Sequence, residues 1–278
     1  MGIGKVQFFY YLKISLFFVF ILYVIFAQSN FSKLPSSRVQ DFVQKEKLRK
    51  YSPIVLLGGS NVAFGLSAED ISKNYLDCIN LGIISELGEM QDYFSWLKKG
   101  VRADIIVYSP SVIWAYEINF SSFRDTNSRV VKNVPPLISQ FKAFYNLMTR
   151  ENKSFTDFGD SKNLLGTKLT DYSIDVNRFI SLDSYIINEI LGRVQVLKSI
   201  TGASKIYMRV PPIFITKNKK LYIELMQRRV FLLKKAGLTF VGSTFVSSES
   251  ELFEDNIHPS MVGRTHFTNE VISTLVKI

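Results

Sequence analysis

Ile54-Val55-Leu56-Leu57-Gly58-Gly59-Ser60-Asn61-Val62-Ala63-Phe64-Gly65 is the stretch that decides how this chain folds. Four consecutive apolar residues, 54–57, read as a short strand buried on both faces. Pro53 marks its entry. Gly58 and Gly59 end it, because glycine tolerates the sharp, often left-handed backbone that turns a chain straight out of a strand. Ser60 follows on that turn, and a helix-compatible run begins near Ala68. A serine between a strand end and a helix start belongs at the carboxyl edge of a sheet, where open α/β folds place their ligands. Two phosphate-binding readings fail on the residues themselves. A P-loop closes on Gly-Lys-Ser/Thr, the dinucleotide fingerprint needs G-x-G-x-x-G, and neither is present. The competing reading is that Ser60 merely caps a helix.

Outward from this stretch, strand and helix signals alternate. Ala68 to Tyr75 reads as a helix with Glu69 and Asp70 in its first turn, where carboxylates suit the helix dipole. Cys78 to Leu81 is a strand ending at Gly82, Gly88 to Lys99 a helix closed by Gly100, and Asp104 to Tyr108 a strand stopped before Pro110. Regularity then lapses between about 115 and 180. This reads as an insertion with a helix at Phe141 to Thr149 and with aromatics (Phe141, Phe144, Tyr145, Phe155, Phe158) that either line a cleft or pack the insertion onto the core. Alternation resumes with a helix from Leu182 to Ile200, a strand from Ser204 to Val210 and a helix from Leu221 to Ala236. A short strand from Leu238 to Val241 and a final helix from Met261 to Val276 complete it. About five strands separated by helices predict a parallel sheet covered on both faces.

The 278 residues are 47% hydrophobic, enough for one sizeable core. The single cysteine, Cys78, has no partner for an internal disulfide and reads as a small buried hydrophobe. No Cys/His cluster has metal-site spacing, so no metal is expected. The net charge is +10, but the cations are scattered. Most fall on helix-like segments as solvated faces; without a recognition module or a basic stripe with stacking aromatics, nucleic acid is not the expected partner, and a basic envelope protein near anionic lipid or polymer fits the charge equally well.

Residues 8–27 are almost wholly apolar, interrupted by Lys13, and long enough to cross a bilayer as a helix. The reading is an anchor (1–28) followed by a polar stalk (29–51) and a catalytic domain (52–278), extracytoplasmic and single-pass. The alternative for the first segment is a secretion signal cleaved after Ala27.

Only two histidines occur, His258 and His266. His258 lies between the last strand and the last helix, and so also at the carboxyl edge; His266 falls on the final helix as a structural residue. Asp255 stands three positions before His258, a spacing at which its carboxylate can accept from one imidazole nitrogen and leave the other exposed. Serine needs such a base to take its proton, and the base needs an acid to fix its tautomer. Ser60, His258 and Asp255 supply those roles. The competing reading has Asp255 capping the last helix and His258 idle at the surface.

Gly58-Gly59-Ser60-Asn61 near the start and Asp255-Asn256-Ile257-His258 near the end resemble the SGNH/GDSL hydrolase family over roughly 52–278. The resemblance implies a three-layer, flavodoxin-like α/β sandwich and cofactor-free ester chemistry. It also implies an oxyanion hole drawn from the Ser60 N–H, the Gly82 N–H with Ser85 close behind, and an asparagine after the third strand. Two positions depart from the pattern. Gly59 stands where the family has aspartate, and Tyr108-Ser109-Pro110-Ser111 replaces the Gly-x-Asn-Asp block, leaving Ser111, Asn61 or the insertion to substitute. In this the chain is similar to membrane-anchored members of bacterial envelopes. The expected activity is therefore removal or transfer of acyl groups, foremost acetyl, on surface polysaccharide or a small ester, with a membrane acyltransferase as partner. The alternative is a weak or inactive scaffold subunit of a polysaccharide assembly system.

Overall fold

The computed structural model describes residues 50–83, 100–110, 155–161, 176–243, 246–255 and 257–277, with 15, 17, 18, 20, 48, 97 and 169. Among these, five parallel strands form the central sheet: β1 (Tyr51–Gly58), β2 (Cys78–Asn80), β3 (Arg102–Ser109), β4 (Lys205–Met208) and, after one intervening strand, the strand at Thr239–Phe240. The intervening strand β5 (Ile213–Phe214) pairs with β7 (Val246–Ser247) in a separate two-stranded ribbon, and Thr239–Phe240 is β6. The helices are α1 (Ser60–Ala63), α2 (Ala68–Asn74), α3 (Val176–Thr201), α4 (Lys219–Lys235) and α5 (Met261–Leu275). Sheet order is β2-β1-β3-β4-β6, every pair parallel. The chain leaves β1 for β2 on one side and crosses back to β3 on the other. The crevice between the ends of β1 and β3 is thus the switch point, where open α/β sheets bind ligands.

Period-two geometry divides the apolar strand residues between two cores. Val55, Leu57, Ile106, Tyr108 and Met208 face α3 and α4, meeting Ile186, Ile190, Leu197, Leu225, Met226 and Leu233. Ile54, Leu56, Val107 and Tyr207 face the other way onto α2 and α5, meeting Ile71, Phe267, Val271 and Leu275. The result is three layers, helices over both faces of a parallel sheet, as the unbroken run 54–57 requires. Cys78 is buried in the second core.

Several expectations need correcting. The helix expected from Ala68 is α2, but an additional one-turn helix, α1, precedes it and begins at Ser60 itself. β1 opens at Tyr51, one residue inside the expected stalk, and β3 is longer than read, Arg102–Ser109. The β5–β7 ribbon was not foreseen: it follows Pro211-Pro212, where the sequence marks only a strand end. The helix expected at 88–99, apart from Leu97, and the one at 141–149 lie outside the described residues, as does the segment 8–27 save Ser15, Phe17, Phe18 and Phe20. No helix among the described residues is long and apolar enough to cross a membrane.

Two close approaches set the frame of the carboxyl edge. Gly58 has φ +152°, and a Cβ there would come within 2.2 Å of the Ser109 carbonyl oxygen. Only glycine lets the end of β1 lie this near β3. In α5, a Cβ on Gly263 would meet the Leu252 carbonyl oxygen at 1.9 Å. Gly263→Ala is expected to destabilise the fold by about 1–3 kcal/mol through overpacking, read as a lower urea midpoint at unchanged m-value. An unchanged midpoint would mean that α5 can slide away from 250–252 without cost.

Candidate active site

Ser60 follows β1 at the switch point, half-buried. Its hydroxyl caps nothing. The residue before α1 is Gly59, which makes no side-chain cap, and α2 is capped by Ser67, whose Oγ accepts from the Asp70 N–H at 3.0 Å. The Ser60 Oγ lies instead 2.8 Å from His258 Nε2.

His258 is carried by the loop between the 3₁₀ turn Ser250–Leu252 and α5. This loop is closed on itself. The Glu254 N–H donates to the His258 carbonyl at 2.9 Å, and Phe253 bridges Pro259. Asp255 serves both backbone and ring. Its Oδ1 accepts the N–H groups of Ile257 and His258, each at 2.8 Å, and its Oδ2 lies 2.8 Å from His258 Nδ1. A carboxylate on Nδ1 fixes the proton there and leaves Nε2 as an acceptor toward Ser60. Phe64 meets the imidazole edge-on, with ring centroids 5.8 Å apart. Asp255 does not cap α5; Ser260 does, accepting the Gly263 N–H at 3.1 Å. His266 is exposed on α5 against the Phe267 ring.

Beneath the nucleophile lies a polar cluster that the sequence reading did not single out. Asp160 is almost fully buried. It accepts the Ala68 N–H at 2.8 Å and the Glu69 N–H at 2.9 Å, the first donors of α2, so a residue ninety positions away caps that helix. Asn80 donates to Asp160 at 3.1 Å and to the carbonyls of Val62 and Leu66, joining the end of β2 to the turn behind Ser60. Arg264 of α5 donates through Nε to the Phe64 carbonyl at 2.6 Å and through Nη1 to that of Ser161 at 2.9 Å. Burial pushes the Asp160 carboxyl up, against the pull of its donors and of Arg264; burial also holds the Arg264 guanidinium down. The sequence cue is the Gly159-Asp160 pair. Gly159 has φ +83°, and a Cβ there would strike the Asn80 carbonyl oxygen at 2.2 Å. Asp160→Ala is expected to cost about 1–3 kcal/mol, the penalty for leaving buried donors without their acceptor, measured by urea denaturation. A loss below about 0.5 kcal/mol would mean that water replaces the carboxylate at these donors.

The oxyanion assignment fares differently. The Gly82 N–H donates to the Asn80 Oδ1 at 2.9 Å, so this structure spends it inside the protein. Ser85 and Ser111 lie outside the described residues. The Asn61 Nδ2 donates to the Ser109 Oγ at 2.7 Å, pinning α1 to the end of β3. Of the insertion aromatics, Phe155 is buried and Phe158 packs on the α2–α5 core, while its carbonyl accepts the Asn80 N–H at 2.7 Å. Phe141, Phe144 and Tyr145 are not among the described residues. No group of His, Cys, Asp and Glu among the described residues is arranged to hold a metal ion.

No protein-family model and no curated protein matches the chain. Among solved structures, an active-site mutant of a family two carbohydrate esterase from Clostridium thermocellum aligns with it at 9% identity and a TM-score of 0.43. The alignment covers 83% of this chain, which spans 64% of that enzyme's length.

Proposed function

We propose that this protein is a serine esterase or O-acyltransferase of the SGNH type. It is tethered to a membrane through residues 8–27, faces the extracytoplasmic side, and acts on acyl groups of a carbohydrate polymer. The observation that carries the chemistry is the pair of 2.8 Å contacts that link Ser60 Oγ to His258 Nε2 and His258 Nδ1 to Asp255 Oδ2.

The reaction follows from those contacts. Ser60 Oγ attacks the ester carbonyl as its proton passes to His258 Nε2, and the imidazolium is stabilised by Asp255. The tetrahedral intermediate places negative charge on the former carbonyl oxygen beside the Ser60 N–H, at the start of α1. Collapse breaks the ester C–O bond, and Nε2 returns the proton to the leaving alkoxide. The acyl-serine is then opened by water (hydrolysis) or by a sugar hydroxyl (transfer), deprotonated by the same nitrogen. Labelling with a fluorophosphonate and turnover of p-nitrophenyl acetate test the scheme, with Ser60→Ala as the control.

One observation favours a second reading, a non-catalytic scaffold subunit on the same fold. The Gly82 N–H is engaged by Asn80, which removes an oxyanion donor, and one missing donor costs about 100–1000-fold. Absence of Ser60-dependent labelling would establish that reading.

A further inference from the structure

Ser60 and His258 approach each other from separate parts of the fold. Ser60 belongs to the sheet. It stands just past β1, and α1 is held to the end of β3 by Asn61 and to the end of β2 by Asn80, which donates to the Val62 carbonyl at 2.9 Å. His258 belongs to α5. Its loop is closed on itself, with the Ser260 N–H donating to the Leu252 carbonyl at 2.9 Å, and runs straight into that helix. The 2.8 Å contact between Oγ and Nε2 therefore depends on what joins α1 to α5.

Arg264, buried one turn into α5, makes that joint. The last carbonyls of a helix have no partner inside it, and those of α1 include Ala63 and Phe64. Arg264 Nε donates to the Phe64 carbonyl at 2.6 Å. Its Nη1 donates to the Ser161 carbonyl at 2.9 Å, and the Ser161 N–H donates in turn to the Ala63 carbonyl at 3.3 Å. One guanidinium thus grips the end of α1 twice, directly and through Ser161. The same turn meets the histidine loop by packing. The Phe64 ring lies edge-on to the imidazole, and a Cβ on Gly65 would come within 2.8 Å of Pro259 Cγ. A single helical turn has little stability of its own, so such contacts set where α1 sits. Both bonded nitrogens go to carbonyls rather than to a carboxylate, although Asp160 is near enough to act on the charge. Lysine can carry that charge, but one ammonium cannot reproduce the rigid fork.

We infer that Arg264 is a positioning residue whose forked donation to Phe64 and Ser161 sets the distance between Ser60 Oγ and His258 Nε2. A misplacement on the order of 1 Å costs about 100-fold in rate. The inference deepens the esterase chemistry proposed above and rests on it for the rate, though not for the geometry. Thr268 provides the contrast. It is buried one turn further along α5, and its Oγ1 accepts the Ser67 N–H at 3.0 Å, which ties α5 to the cap of α2 and not to α1.

The test uses the full chain labelled with nitrogen-15 histidine, in which His258 and His266 give the only ring signals. Ser60→Ala first records how the His258 Nε2 resonance moves when the hydroxyl is removed. Arg264→Lys is expected to move it the same way, while the Nδ1 resonance, which reports the Asp255 contact, stays in place. Fluorophosphonate labelling of Ser60 should slow by about 100-fold. Arg264→Gln, neutral and with one donor nitrogen, should behave alike and serves if a buried lysine prevents folding. Thr268→Val should lower the urea midpoint yet leave labelling and both resonances at their wild-type values. An Nε2 resonance unmoved in the folded Arg264 variants would overturn the role. So would undiminished labelling in those variants of an active enzyme, or an equal loss in Thr268→Val, the mark of a generally loosened α5. A wild type that never labels, with Nε2 still displaced in the Arg264 variants, would reject the esterase and leave the positioning standing.

Discussion

Ser60→Ala should lower turnover of p-nitrophenyl acetate by about 10⁴-fold or more and abolish fluorophosphonate labelling. Removing a nucleophile that acts with a base eliminates the covalent route and leaves only what substrate binding and oxyanion donors supply. The unfolding midpoint should barely move, since Ser60 is half-buried and its hydroxyl caps no helix. Because Ser60 and His258 work as one unit, the double variant with His258→Ala should be no slower than either single one. Turnover that persists in Ser60→Ala would reject the scheme, whatever the 2.8 Å contact suggests.

Asp255→Asn should cost about 10⁴-fold in kcat while the protein stays folded. Asparagine keeps an oxygen for the Ile257 and His258 N–H groups, so the loop survives. Its amide nitrogen, however, then faces His258 Nδ1, donor against donor. The ring relieves the conflict by moving its proton to Nε2, the atom that must accept from Ser60. Asp255→Ala removes both functions and should in addition loosen the loop, seen as faster amide exchange at Ile257 and His258. A loss of less than about tenfold in Asp255→Asn would assign the carboxylate to loop bracing alone. This separation distinguishes a proton-handling role from a structural one, because the asparagine variant preserves the second and reverses the first.

The parts of this fold that sequence discloses are those with a one-dimensional signature. Residues 54–57 are apolar on both faces because helices cover both sides of a parallel sheet, and Gly58 stops the strand where no side chain fits. Ser60 and Asp255-x-x-His258 are legible for a related reason: topology sends every strand end to the same edge, so two motifs far apart in sequence can be expected together. What sequence hides is short or purely tertiary. α1 is one turn, too brief for a periodic pattern, and β5 and β7 contribute two residues each. Asp160 reaches Ala68 and Arg264 reaches Phe64 across 92 and 200 positions, and each is, by type, an ordinary surface residue. The fate of the Gly82 N–H depends on which way the Asn80 amide points, which no spacing encodes.

The 198 positions that separate Ser60 from its imidazole partner have a consequence for the life of the polypeptide. Synthesis delivers the serine 198 positions before the histidine. A nascent or C-terminally clipped molecule therefore holds a hydroxyl without a base. On the proposed chemistry, acyl esters met before His258 is made are safe from it, and competence switches on in a single step, when α5 seats.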